Sequence, residues 1–392
     1  MTTPSMPARD RYDVTVVGAR AAGAATAMLL ARGGARVLAL DRGRYGSDTL
    51  STLALMRGGV LQLARWGVLD GVRAAGTPVV RRTTFHYGGE AVPVDIRPVG
   101  EVDGLYAPRR TVLDALLVDA AREAGAEVVH GVAVSGLRID AGGRVGGVEI
   151  EGPEGSRRAI SADLVIGADG RLSRVAEQVG AGVERRARQA SGVVYGFWQG
   201  LEPDGYHWLY APGVSAGVIP TNDGASLVFA TAPGARFLAE APGRLGGFFE
   251  RVLGEVSPEL AGRVARARRV GSLHGFPGVP GFLRRAGGPG WALVGDAGYF
   301  KDPITAHGLT DALRDAELLA RAVLAGGEDA LAGYQEQRDE LSADLFEITD
   351  AIAAYDWTLD EVQQLHRRLS DSMKAEVAEL RDLDALPVPR IA

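Results

Sequence analysis

Two strand–turn–helix signatures near opposite ends of the chain limit the architectures open to it. The first is Val14-Thr-Val-Val-Gly-Ala-Arg-Ala-Ala-Gly23, with Asp41 closing the next apolar run, Val37–Leu40. β-Branched runs on either side of an Ala-rich helix make a βαβ unit. Gly18 and Gly23 stand where a tight turn and a close helix–strand approach call for glycine. A helix that starts this way offers backbone N–H groups to an anion such as a pyrophosphate. Arg20, followed by Ala21, occupies the second of the three usual glycine positions. The site survives if the Arg20 side chain turns away while its N–H faces the phosphate; its guanidinium is also a candidate phosphate partner. Asp41 follows Gly18 by about 20 residues, the spacing of a carboxylate that accepts both ribose hydroxyls, with Arg42 beside it. Both features also have ordinary readings, as a tight turn in another α/β protein and as a strand-end acid.

The second signature is Trp291-Ala-Leu-Val-Gly-Asp-Ala-Gly-Tyr-Phe-Lys-Asp-Pro-Ile-Thr-Ala-His-Gly308. It reads as a buried strand, Gly295-Asp296, a loop through Pro303, and a helix opening at Gly308, Leu309 and Thr310. Between the two signatures, Asp163–Ser173 reads as a buried strand turning at Asp169-Gly170. A nucleotide turn completed by an acid hundreds of residues later points to a flavin dinucleotide; NAD(P) alone would not need the distant pair of acids.

The rest of the chain fits two packed units. At 392 residues it can bury a sizeable core. Ser51–Leu69 alternates at helical spacing, Val79–Val94 has strand character around Gly88-Gly89, and Arg110–Ala124 is a helix with Leu113, Leu116, Leu117 and Ala120 on one face. Residues 190–232 hold Tyr195, Phe197, Trp198, Tyr206, Trp208, Tyr210 and Phe229 in a chain with only 6% aromatics, which marks a separate antiparallel sheet. Pro233–Ala267 and Asp311–Leu383 read as helical. In the latter, the stripe Leu359, Val362, Leu365, Leu369, Met373, Val377, Leu380 is expected to pack on the body, with a dimer seam as the alternative. The tail from Pro387 is expected to be loose.

Composition excludes several functions. Net charge is −6 with no basic cluster, which argues against nucleic acid. The absence of cysteine removes disulfides, thiolate zinc sites and iron–sulfur clusters. Six scattered histidines show no metal-ligand spacing, so no metal is expected. No run of about 20 apolar residues predicts a membrane span, and a cytoplasmic location is expected.

In combination the three motifs resemble the flavin-dependent aromatic hydroxylase superfamily, which includes p-hydroxybenzoate hydroxylase-like enzymes, geranylgeranyl reductases and flavin halogenases. The resemblance spans Val14 to about Ala320, with the motifs in the family's order. It implies an α/β fold: a Rossmann-like three-layer FAD-binding domain (residues 1–75, 106–185 and 276–320), an inserted, mainly antiparallel substrate-binding sheet (76–105 and 186–275), and a C-terminal helical region (321–392). It places Arg110, which opens an Arg-x-x-Leu helix with Leu113, near the flavin phosphates, and Arg109 beside it. Asp169 and Gly170 carry the motif implicated in FAD and NAD(P)H binding. Gly295 and Asp296 carry the Gly-Asp motif whose carboxylate meets the ribityl chain, and Pro303, Gly308 and Thr310 fall on the following Pro-x-x-x-x-Gly-x-Asn pattern. Thr310 replaces the usual Asn, His307 a common Gln, and Thr305-Ala306 a common Gly pair.

The resemblance implies FAD as cofactor and NAD(P)H as electron donor, with a separate flavin reductase as another source of reduced flavin. The leading expectation is a monooxygenase of secondary metabolism. The reduced flavin would take up O₂ at C4a and pass oxygen to an aromatic or polyketide-like small molecule. The protein would orient the substrate and exclude water, so no obligatory acid–base residue is expected. His307 and Lys301 are the catalytic candidates: His307 faces either the ring or solvent, and Lys301 either adds a positive charge near the flavin or, reading slightly better, is a solvated loop side chain. Tyr195, Phe197, Trp208, Tyr210 and Phe229 are candidates for a substrate wall, although strand aromatics are usually core. The alternatives are a reductase or dehydrogenase acting on a C=C or C–H bond, as in geranylgeranyl reductases, and a flavin-binding protein without turnover. A halogenase is disfavoured, because the Trp208 to Pro220 segment lacks the family's Trp-x-Trp-x-Ile-Pro spacing.

Overall fold

A computed structural model describes residues 6–152, 155–326, 328–384 and 386. The expected loose tail from Pro387 lies outside the described residues. The chain begins β1 (Arg11–Val17), α1 (Ala21–Arg32), β2 (Val37–Asp41), α2 (Arg57–Arg65), α3 (Leu69–Ala74), β3 (Arg82–Tyr87), β4 (Glu90–Asp95) and α4 (Arg110–Glu123). It continues through β5 (Glu127–His130), β6 (Ala133–Ile139), β7 (Val145–Glu151), β8 (Arg157–Gly167), α5 (Arg174–Gln178), β9 (Val183–Arg186) and β10 (Ser191–Gln199). Then come β11 (Tyr206–Ala211), β12 (Val214–Pro220), β13 (Ala225–Pro233), α6 (Gly234–Glu240), α7 (Leu245–Val256), α8 (Pro258–Arg266) and β14 (Arg268–Phe276). It ends with β15 (Phe282–Arg284), β16 (Gly287–Gly288), β17 (Trp291–Leu293), β18 (Tyr299–Phe300), α9 (Gly308–Ala325), α10 (Glu328–Ala353) and α11 (Leu359–Asp382).

Five strands form a parallel sheet in the order β17-β8-β1-β2-β5. Such strands are apolar on both faces because both are covered. One face carries α1, α4 and α9, cored by Met28, Leu29, Leu30, Leu117 and Leu313. The other carries the antiparallel strands β6 and β7, over Val17, Leu38, Leu40, Val148 and Trp291. The result is three layers. β8 serves two of them, pairing antiparallel with β7 along its first half and parallel with β1 and β17 along its second.

The second sheet runs β14-β10-β13-β12-β11-β3-β4 and is antiparallel except where β11 meets β3. Strand alternation divides its side chains. Tyr195, Phe197, Tyr206, Trp208, Tyr210 and Phe229 share one face with residues of α10 and α11, while Trp198 points to the other, under α6, α7 and α8. The apolar stripe of α11 packs on the body: Val362 and Leu369 are buried in the aromatic cluster, with Leu359, Leu365 and Met373 against it. A short third sheet, β18-β15-β9, joins the two bodies.

One expected element differs. Ser51–Leu69 is not a single helix; residues 51–56 are not helical, Leu55 bridges Tyr106, and α2 begins at Arg57. The Met56 N–H donates to Thr310 Oγ1, which takes this stretch out of helical pairing. No helix among the described residues is long and apolar enough to cross a membrane.

Candidate functional site

The two signatures meet in one cleft of about 950 Å³. Gly18, Arg20, Ala21, Asp41, Arg42 and Arg110 line one end; Asp296, Lys301, Pro303, Gly308 and Leu309 line the other, with Asp169 and Gly170 on the flank. Parallel pairing produces this convergence, because the C-terminal ends of β1, β8 and β17 open side by side and each is followed by a turn.

The first turn is tightly built. Gly18 has φ +103°, and a Cβ there would stand 2.4 Å from the Ala168 carbonyl oxygen. A Cβ on Gly23 would stand 1.9 Å from the Gly18 carbonyl oxygen. Both glycines are therefore required by contacts of the chain with itself, before any ligand is considered. The Arg20 side chain turns aside: its guanidinium donates to Ser47 Oγ at 3.2 Å, to the Ser47 and Asp48 carbonyls, and to Asp114 at 3.2 Å. It is thus engaged within the protein. The first N–H groups of α1 have no intrahelical partner and face outward from its start.

Asp114, which carried no sequence signal, also accepts two bonds from Arg110, at 2.9 and 3.0 Å, and so fixes that guanidinium at the cleft. Arg109 lies outside the cleft lining. Its guanidinium sits 3.7 Å from the Phe197 ring centroid and pairs with Asp48 at 2.9 Å.

The three acids differ. Asp41 accepts from the backbone of Ala19 (2.9 Å) and Gly43 (2.6 Å), which holds its carboxylate at the end of β2. Asp169 accepts from the Arg174 N–H at 2.7 Å and leaves Oδ1 buried without a partner. Asp296 accepts no hydrogen bond among the described residues. Burial pushes its carboxyl up to about 6, against the opposing pull of Arg110, Lys301 and Arg171.

The loop from Lys301 to His307 is held from behind. Asp302, unnoticed in the sequence, accepts from the Ser191 N–H and hydroxyl and from the Ile304 N–H at 2.9 Å, tying the loop to β10. Thr305 meets Thr349 of α10 at 3.0 Å. Ala306, where the family has a glycine, keeps the left-handed backbone at φ +49°. Lys301 is not a solvated loop lysine: it is 6% exposed and ion-paired with Asp311, because α11 closes over this region. His307 faces neither cleft nor solvent; it is buried between Asp311 and Glu376. His307, Asp311 and Glu376 form a trio of metal-type donors, but Lys301 and Arg314 already neutralise its carboxylates. Thr310, in place of Asn, lies outside the cleft lining and accepts from Met56.

Of the proposed aromatic wall, Tyr195 alone lines the cleft, its hydroxyl accepting from the Ser51 N–H at 3.2 Å. Phe197, Trp208, Tyr210 and Phe229 lie in the core behind it, under α10 and α11. The wall at this end is instead Leu53, Val193, Tyr195, Phe276, Phe300 and Pro303.

These features fit FAD. Asp296 is an acceptor in need of donors. The opening turns of α1 and α9 supply free N–H groups. At Gly308 a Cβ would meet no protein atom within 4 Å, so the backbone there is open to a flat ring.

Comparison with known proteins agrees. A family model described as "FAD binding domain" matches residues 11–236. Digeranylgeranylglycerophospholipid reductase 1 of Methanopyrus kandleri (strain AV19) is 30% identical over 370 residues, covering 87% of this chain and 90% of that protein. Protein FixC of Escherichia coli (strain K12) is 32% identical over 174 residues; the match takes in 44% of this chain and 39% of the length of FixC. Pseudomonas aeruginosa PqsL in complex with 2-aminobenzoylacetate has a TM-score of 0.75 at 23% identity, over 93% of this chain and all of that one. The flavin-dependent brominase Bmp2 has a TM-score of 0.79 at 19% identity, over 97% and 96%. At these identities the two structures share the fold.

Proposed function

The chain belongs to the FAD binding domain family and is an FAD-dependent oxidoreductase, and from this premise we propose that it is a monooxygenase acting on an apolar, aromatic or polyketide-like small molecule. The observation that carries the proposal is the character of the cleft beside the 301–308 loop. Its wall is Leu53, Val193, Tyr195, Phe276, Phe300 and Pro303, and the ionisable groups next to it, Asp302 and the Lys301–Asp311 pair, are committed to other protein groups. A wall so arranged seats an apolar molecule, and apart from Asp296, which the FAD reading assigns to the ribityl chain, the acids and bases beside it are taken up by protein partners.

FAD, when bound, supplies the redox chemistry, with electrons from NAD(P)H or from a separate reductase. In this reading the turn at Gly18, with Arg110, receives the pyrophosphate; Asp41 the adenosine ribose; and Asp296 the ribityl hydroxyls. The N–H groups of Gly308 and Leu309 face the ring edge that gains negative charge on reduction. Asp169, Gly170 and Arg42 flank the dinucleotide. Tyr195 and Phe276 orient the substrate.

A second reading, reduction of a C=C bond, is favoured by one observation: a relative that matches over 90% of its own length is named a reductase. Turnover of a panel of aromatic and isoprenoid compounds under isotopically labelled O₂ separates the two. Labelled oxygen in the product supports the monooxygenase. Saturation of a double bond under anaerobic conditions, without label, replaces it with the reductase. A protein that stays colourless after FAD reconstitution ends both.

A further inference from the structure

Behind the 301–308 loop lies a buried cluster in which Lys301, His307 and Arg314 face Asp311, Asp315 and Glu376. It joins the loop, α9 and α11, and Ser342 of α10 accepts from Arg314 at 2.9 Å. His307 is 1% exposed and sits at the N-cap of α9. Its Nδ1 is 2.9 Å from Asp311 Oδ1, and its Nε2 is 3.1 Å from Glu376 Oε2. A neutral imidazole has a single N–H. It would turn a lone pair toward one of these carboxylates in a buried site, where an unmatched contact is costly. An imidazolium donates to Asp311 and stands at ion-pair distance from Glu376, with which its Nε2 makes no aligned hydrogen bond. It also balances the cluster, since Lys301, His307 and Arg314 then offset Asp311, Asp315 and Glu376.

The groups facing His307 from each element are known. From the loop, Lys301 Nζ lies 3.4 Å from Nδ1 and opposes a second positive charge. From α9 comes Asp311, and from α11 comes Glu376. Arg314 of α9 bridges the two acids, 3.3 Å from Asp311 and 2.9 Å from Glu376. Burial disfavours the charged ring, but Glu376 and Asp311 outweigh it and hold His307 above the ordinary histidine value.

We propose that His307, kept protonated between Asp311 and Glu376, is a positioning residue for the flavin: it pins the loop from Lys301 to Gly308 and fixes a positive charge at the start of α9, next to the cleft. The inference rests on the FAD reading above. Lys301 and Asp311 line the cleft, so loss of the His307 charge, which would leave the cluster with one excess negative charge, is felt there. A cation at this point favours the flavin in its more negative, reduced form.

Two measurements test it. The first follows the imidazole ¹⁵N resonances of histidine-labelled, FAD-loaded protein against pH, with His307 assigned by the signals lost in His307→Gln. Both nitrogens should be protonated at roughly pH 7.5, where an ordinary histidine is largely neutral. In Glu376→Gln the ring should lose its proton at lower pH. A neutral His307 at that pH in the wild-type holoprotein overturns the inference.

The second is the flavin midpoint potential. His307→Gln keeps hydrogen-bonding capacity and loses the charge. It should bind reduced flavin about tenfold less well relative to oxidised, a shift of about 30 mV to more negative values for a two-electron couple. If that variant does not fold, the wild-type potential against pH carries the test, with an added break where His307 titrates. An unchanged potential, or no break, reduces His307 to a structural residue and overturns the proposal. A protein that takes up no FAD overturns the functional reading itself, whereas a neutral His307 in FAD-loaded protein overturns only this inference.

Discussion

Single residues show where function costs stability. Asp296 faces the cleft with its carboxyl pushed up to about 6 by burial. A carboxyl whose folded value lies above its ordinary 3.8 destabilises the fold as pH rises past that value, in full once pH exceeds about 6. The cost is on the order of 2 kcal/mol after allowing for water in the cleft. Asp296→Asn should therefore raise the melting temperature of the apoprotein at pH 7 while weakening FAD binding. In the wild type FAD affinity should fall as pH drops through about 6, because protonation removes the acceptor; titration calorimetry across this range reads the trend. Ala306, at φ +49°, tolerates a backbone that costs a non-glycine residue about 1 kcal/mol, so Ala306→Gly should raise stability by up to that amount in urea unfolding. Gly18→Val should lower the melting temperature as well as FAD uptake, since the new side chain collides with the Ala168 carbonyl before any phosphate arrives. These positions were legible because glycines and acids at fixed spacing have few uses. Lys301 and His307 were not, because their burial is decided by Glu376 and its helix, about 70 residues downstream, with no local pattern to announce it.

Among the elements, α9 ties the architecture together. Its first turn borders the cleft, and its Thr310 hydroxyl receives the Met56 N–H. Gly59 packs so closely that a Cβ there would stand 3.1 Å from that hydroxyl. Thr310→Val preserves shape and strands a buried donor, which should cost about 1–3 kcal/mol by equilibrium unfolding. The same contact explains why Ser51–Leu69 is not one helix. Its periodicity is helical, but tertiary partners hold residues 51–56 out of the helix, with Leu53 in the left-handed region at φ +67°, and turn much of that stretch into cleft wall. Local pattern identified the βαβ unit, the strands around Gly88-Gly89 and the C-terminal helices, whose apolar faces are self-evident. It failed where a segment's partner lies some 250 residues away.

At the scale of the molecule, the cleft lies between the two sheets, lined by Gly18 and Asp169 after strands of the first and by Val193, Tyr195 and Phe276 of the second. The aromatic residues of the second sheet were visible as a group, but their division between cleft and core depends on α10 and α11, which cover Trp208, Tyr210 and Phe229 from outside the sheet. Tyr210→Phe should accordingly leave substrate KM unchanged within error, whereas Tyr195→Phe, which alters the residue in the cleft, should shift it. The meeting of Gly18 with Gly308 in one cleft also governs timing during biosynthesis. A ribosome adding about 5–20 residues per second exposes the first turn early and the last turn only after roughly 15–60 s. Until then the emerging polypeptide has half a cradle, so pigmentation should arrive late and abruptly, and nascent chains stalled before residue 308 should emerge pale.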